Sequence, residues 1–319
     1  MTDVATLGEA LLRFAVPSGT RIAEATSFDV ALAGAELNVA AALAAVGRDA
    51  RWYGALPRNA LGSFALRRLR QLGLATAGVR WAEGERLGTY YVELAQPPRP
   101  VQVTYDRKDS AAARLKPDQL DWPTIVDARI VHLTGITPAL SDASRRVTQR
   151  ALSEARASGV PVSFDVNYRS ALWSATDASA WVARNAVDIE LIFIAERDAR
   201  LLFGATGPTS EIASSLWDRL KPRTLVVTRG DRGSLWFDGN VVREQEAVPV
   251  QILDRLGAGD AFAAGVLDGW LEGSVAEGMR RGAMLAGIAL TQRGDQVVTD
   301  RDELSRLIGR VGGSGSVER

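Results

Sequence analysis

The chain contains no cysteine, which excludes disulfides, thiolate nucleophiles and Cys-based zinc sites. It has one histidine, His132, inside the apolar run IVHLTG, where a hydrogen-bonded core position suits it better than a base; triads built on histidine fall away with it. Lysine is almost missing too: only Lys108, Lys116 and Lys221 stand among 38 basic residues, and 38 acidic residues balance them. With no net charge and no basic run, nothing points to nucleic acid or an anionic membrane. No apolar run approaches the roughly 18 residues of a spanning helix. The opening MTDVATLGEALLRF is too acidic for a secretion signal, so a cytoplasmic protein is expected. GxxxxGK[ST] is absent, and the glycine turn GAGDAF lacks the third glycine of a dinucleotide fingerprint.

The 319 residues can bury a large core, and the pattern of what is present is an alternation of strands and helices. Val4 to Phe14 reads as a strand interrupted at Gly8 and Glu9. Phe28, Val30 and Leu32 read as a second, and Glu36 to Val46 as a helix stopped by Gly47. Strand Trp52 to Leu56 and helix Leu61 to Leu72 follow. Leu87 to Leu94 and Val101 to Tyr105, joined by the turn Pro97 to Pro100, form a hairpin with one apolar face, an excursion suited to a lid or a dimer contact. After Pro117 the alternation resumes: strands at Arg129 to Thr134, Val160 to Asp165, Glu190 to Ile194 and Leu225 to Thr228, with helices at Asp142 to Ala157, Ala178 to Val187 and Arg197 to Phe203. A hairpin around Asp238 and Gly239 and helices at Val275 to Thr291 and Asp302 to Ile308 complete an α/β, doubly wound plan.

The stretch Val248 to Gly273 organises the rest. Its apolar start, Val248 to Leu253, reads as a buried strand; Gly257 and Gly259 turn the chain, and Phe262, Val266 and Trp270 stripe a helix ended by Gly273. A glycine turn feeding a helix N-terminus is a seat for an anion. Asp260 in the first helical turn either caps the helix or handles the proton of a hydroxyl. In FDVNYR, Asp165, Asn167 and Arg169 alternate just past a strand and can converge at the carboxyl edge of the sheet, where ligands bind. In VVTRGDRG, Thr228, Gly230 and Gly233 make a second glycine-rich edge, suited to a nucleotide or to a plain turn.

Together these segments resemble the ribokinase-like (PfkB) family of carbohydrate kinases, over nearly the whole chain. The family pattern D-T-x-G-A-G-D is met at Asp254, Gly257, Ala258, Gly259 and Asp260, and a glycine-rich helix entry at Gly34 to Asn38. HLTGITPALS, VTYDRKDSAA, FDVNYRSALW and the late TQRGD look most like the 2-keto-3-deoxygluconate kinases of that family. The resemblance implies a ribokinase-like doubly wound sheet with a small β lid: one kinase domain over 1–311, lid strands from about 13–33 and 85–108, and a flexible tail at 312–319.

What the resemblance implies for function is an ATP-dependent phosphoryl transfer to a primary hydroxyl of a keto sugar acid, 2-keto-3-deoxygluconate to its 6-phosphate, with fructokinase or another ribokinase-family sugar kinase as the alternative. Asp260 would be the base, and Gly257, Ala258 and Gly259 the anion hole. Gly34, Asn38, Tyr91, Tyr105, Arg107, Arg169 and Asp260 would contact the sugar, and Thr228, Gly230, Gly233, Gly257 and Gly259 the nucleotide. Implied cofactors are ATP and Mg²⁺, with a monovalent cation as an optional third, and implied assembly is a homo-oligomer through the lid. The chain departs from the pattern at Arg255, where threonine is usual. Ala195 and Asp198 stand in place of an N-x-x-E motif, which leaves Asp198 as the metal candidate.

Overall fold

The computed structural model describes residues 1–95, 98–187 and 189–311; the tail 312–319 and Pro97 of the hairpin turn lie outside them. The strands are β1 (Thr2–Leu7), β2 (Leu11–Ala15), β3 (Asp29–Ala33), β4 (Ala50–Pro57), β5 (Val79–Ala82), β6 (Gly88–Glu93) and β7 (Gln102–Asp106). They continue as β8 (Ala128–Thr134), β9 (Val162–Asp165), β10 (Leu191–Ala195), β11 (Thr224–Thr228), β12 (Ser234–Phe237) and β13 (Val242–Gln245). The helices are α1 (Ala35–Ala45), α2 (Ala60–Gln71), α3 (Ala111–Arg114), α4 (Trp122–Val126), α5 (Thr137–Leu140) and α6 (Asp142–Ala157). After them come α7 (Ala175–Asn185), α8 (Glu196–Phe203), α9 (Thr209–Leu220), α10 (Ala258–Leu271), α11 (Val275–Leu290) and α12 (Arg301–Val311).

A nine-stranded sheet in the order β13-β12-β11-β10-β9-β8-β1-β4-β5 forms the body, parallel from β11 to β5 with the β12–β13 hairpin antiparallel at one edge. Strand residues alternate between two cores, as a sheet covered on both faces requires. Leu191 and Phe193 enter the core beneath α1, α10 and α11, while Ile192 and Ile194 enter the opposite one. A separate four-stranded sheet, β3-β2-β6-β7, has its own small apolar cluster of Leu11, Ala15, Ala33, Tyr90, Val92 and Leu94.

Several elements differ from the sequence reading, the short helices α3, α4 and α5 among them. Val4 to Phe14 is not one strand, because Gly8 to Ala10 carry the chain from the large sheet to the small one. Val248 to Leu253 is not a strand either. Pro249 has no N–H for a ladder, Val248 and Val250 rest against Gly287 of α11, and Leu253 N donates to Leu290 O. Strand β5 and helix α9 are additions, the helix burying Ile212, Leu216 and Leu220 on one stripe.

Candidate active site

The parallel strands end at one edge of the large sheet. There β9 delivers Asp165, β10 Ala195 and β11 Thr228, around a cavity of about 220 Å³ closed on its other side by the start of α10. Three arginines, Arg169, Arg197 and Arg255, and three aspartates, Asp165, Asp198 and Asp260, line it.

Gly257 is the N-cap of α10, at φ 81°, and a Cβ there would overlap the carbonyl oxygen of Asp295. Gly259, one turn residue on, meets nothing within 4 Å of where its Cβ would stand. Glycine at 257 is thus demanded by the fold, whereas at 259 it keeps open the space in front of N–H groups that have no intrahelical carbonyl to bond. With Ala258 between them, these residues form the anion seat expected at a helix N-terminus.

Asp260 does not cap that helix: α10 has no side-chain cap, and the Asp260 Oδ2 instead accepts from Asn38 Nδ2 at 2.7 Å. Burial pushes its carboxyl well above the usual carboxylate range, the Asn38 hydrogen bond opposes this, and the charge of Asp165 adds to it. Asp165 itself is lifted to about 7, mainly by burial, against a hydrogen bond from Asn167 N and the charge of Arg169. Two aspartates with raised proton affinity and one neutral amide make a proton-handling site in a cavity able to hold an anion.

Gly34 caps α1 with its backbone against the carbonyl of Glu9, and its own carbonyl accepts from Asn38 N at 2.7 Å, so both sit at the entry of α1. Arg169 is exposed at the cavity rim, close enough for its charge to act on both Asp165 and Asp260. Thr228 lines the cavity. Gly230 and Gly233 are not among its lining residues: Gly230 opens the turn Gly230–Arg232, Gly233 follows it, and Gly233 lies against Gln245 O of β13. Asp198 is buried beside the cavity and accepts from Arg197 Nε at 2.9 Å.

The small sheet corrects one assignment. Tyr105 pairs across the strands with Tyr90, and Tyr91 with Thr104, so Tyr91 faces away from Tyr105. Tyr91 stacks on Phe14, 5.3 Å away, and meets Phe28 edge-on. It is Tyr90 that shares the face with Tyr105, ring centroids 5.4 Å apart, and donates from its hydroxyl to Asp295 Oδ2 at 2.6 Å. Arg107, expected to be available to a ligand, is already held. Its Nε and Nη2 donate to Glu9 Oε2, its guanidinium lies 5.3 Å from the Tyr105 ring centroid, and Ser110 Oγ fills the other Glu9 oxygen. Glu9 is 98 residues from Arg107 and carries no local signal of that partnership. Arg197 and Arg255 were also outside the expected site, although Arg255 stood out as the departure within the glycine motif.

Comparison with known proteins agrees with this geometry. The description "pfkB family carbohydrate kinase" matches residues 1–301. The 2-dehydro-3-deoxygalactonokinase of Haloferax volcanii is 36% identical over 99% of this chain and 99% of its own length. Fructokinase-1 of Zea mays is 30% identical over 83% of this chain and 81% of that protein. The solved structure of 2-dehydro-3-deoxygluconokinase from Thermotoga maritima superposes with a TM-score of 0.91 at 32% identity, covering 97% of this chain and 100% of that one. Fold, cavity and sequence therefore converge: the chain belongs to the pfkB family of carbohydrate kinases.

Proposed function

We propose that the protein transfers the terminal phosphoryl group of ATP to the primary hydroxyl of a 2-keto-3-deoxy sugar acid, 2-keto-3-deoxygluconate in the first place. The observation that carries the reading is the pairing of Asp260, its carboxyl raised by burial well above its ordinary range, with the open helix N-terminus at Gly259. Asp260 takes the proton from the sugar hydroxyl, the oxygen so freed attacks the terminal phosphorus in line, and ADP leaves. The N–H groups of Gly257, Ala258 and Gly259 receive the charge on the moving phosphoryl oxygens, and Arg169, Arg197 and Arg255 hold the polyphosphate and the acid. Gly34, Asn38, Tyr105 and Arg107 form the sugar's other walls, and Thr228, with the Gly230 to Gly233 turn behind it, the nucleotide's.

Asp165 and Asp198 suit Mg²⁺. Both are oxygen donors on the cavity, near enough for the Asp198 charge to raise the proton affinity of Asp165, and Mg²⁺ binds through one or two carboxylates together with substrate phosphates. When bound, the ion would neutralise phosphate charge. The small sheet acts as a lid, and its outer aromatic face of Phe14, Phe28 and Tyr91 as a contact between two subunits.

The name of the Haloferax relative favours a second acid, the C4 epimer 2-keto-3-deoxygalactonate. The capture of Arg107 by Glu9, which leaves one cation fewer for a substrate carboxylate, favours a neutral sugar such as fructose. A coupled ADP-release assay over both acids, fructose and ribose separates them. The sugar acids should turn over fastest, and fructose ahead of both would transfer the assignment to fructokinase. Replacing potassium by tetramethylammonium in the same assay reads the monovalent-cation requirement.

A further inference from the structure

The most buried arginine among the described residues is Arg13, on a central strand of the small sheet, 2% exposed. Its Nη1 donates to Asp295 Oδ1 at 2.6 Å and its Nη2 to Asp254 Oδ2. Asp254 also accepts from Leu256 N at 3.1 Å and from Gly294 N at 3.2 Å, and Asp295 accepts from the Tyr90 hydroxyl at 2.6 Å. Three segments meet there: strands β2 and β6 of the small sheet, the turn from Asp254 to Gly257, and the loop of Gly294 and Asp295. The last presses its backbone oxygen into the place where Gly257 lacks a Cβ.

Two carboxylates beside a loop built to receive phosphate are a hazard. Uncancelled, they would repel a phosphoryl group gathering negative charge a few residues away. A single guanidinium spans both with its planar fork, and it comes from the strand that must move if the small sheet opens and closes.

We propose that Arg13 is a positioning residue for phosphoryl transfer: it cancels Asp254 and Asp295 behind the α10 anion seat and ties the seat to the small sheet. The role rests on the kinase reading of the site, but it is separable from it. Arg13 touches neither sugar nor nucleotide in this account, so its loss is felt in kcat and not in sugar affinity.

The test uses the full chain and the ADP-release assay, with sugar binding followed by calorimetry. Arg13→Met should lower kcat about 10²-fold, the scale of removing one preorganised electrostatic contribution, with sugar affinity nearly unchanged. Adding Asp295→Asn to that variant should recover about tenfold, because one repelling charge goes with it. A tie that mattered only for stability predicts the reverse, a double variant worse than the single one. Guanidinium ion at millimolar levels should also restore turnover to Arg13→Met. If Arg13→Met does not fold, Arg13→Gln with and without Asp295→Asn carries the same comparison. Wild-type turnover of no sugar in the panel would sink the kinase reading itself. With wild type active, an Arg13→Met or Arg13→Gln variant at near wild-type kcat, or a double variant slower than its parent, overturns the role proposed for Arg13.

Discussion

Helix α10 carries an aspartate at each end, and their surroundings are opposite. Asp268, fully buried, accepts from Arg48 Nε at 2.5 Å, from Arg281 Nη1 at 2.6 Å and from both Arg301 Nη atoms at 2.6 Å. Burial alone would push its carboxyl up, but the three arginines outweigh burial and hold it below its ordinary range. Asp260, in the first turn, has one neutral donor, Asn38, and its proton affinity rises. The same residue type on the same helix is ionised and locked at one end, where α1, α11 and α12 meet, and left underpaired at the other. Full pairing yields stability; withheld pairing yields a base.

The comparison breaks most visibly at the locked end. Asp268→Ala should cost about 3–5 kcal/mol in urea unfolding, since three partly buried guanidinium groups lose their common, fully buried partner, while turnover per folded molecule stays unchanged. A variant as stable as wild type would mean the arginine cluster is only decoration.

The two glycines at the other end sharpen it. Gly257→Ala needs a left-handed backbone and meets Asp295, so it should lose about 1–3 kcal/mol of stability. Gly259→Ala meets nothing and should gain up to about 1 kcal/mol from helix propensity, yet turn over more slowly because its methyl stands in the anion seat. Thermal melts and kinetics on the pair give the two signs. A fully active Gly259→Ala would place the phosphoryl elsewhere.

The smallest effect is a pH dependence. Asp165 has its folded pKa raised to about 7, so its contribution to stability is present while the carboxyl is protonated and is lost as pH rises through that value. Asp268, held low, contributes above the ordinary carboxylate range and loses its contribution as pH falls. Asp165→Asn should therefore gain stability relative to wild type as pH climbs from about 4 to about 7 and level off above that, whereas Asp268→Asn should lose ground to wild type as pH climbs through the acid range. A flat difference for Asp165→Asn would show that its carboxyl is not raised.

Much of the site was legible because its signals are local. The turn at Gly257 to Gly259, the helix behind it and Asp260 within its first turn occupy consecutive residues, and the strand that delivers Asp165 ends where the apolar run ends. What stayed hidden depends on parity or distance. A shift of one residue along β6 exchanges Tyr90 for Tyr91, and both spell the same letter in the sequence. Arg13 meets its partners across 241 and 282 residues, a pairing that no local pattern announces. Val248 to Leu253 has strand composition but Pro249 within it, and the neighbour it found was a helix.

The central claim is that Asp260 is underpaired for chemistry and not for folding, and the most direct measurement is kcat and melting temperature on one preparation of Asp260→Asn. Expected are a kcat lowered by about 10² to 10⁴, sugar binding retained, and a melting temperature equal to or above that of wild type, because a desolvated carboxyl has been replaced by a neutral isostere. A variant that melts well below wild type while its folded fraction turns over sugar at the wild-type rate would contradict that claim, and would return Asp260 to the role of a structural residue at the head of a helix.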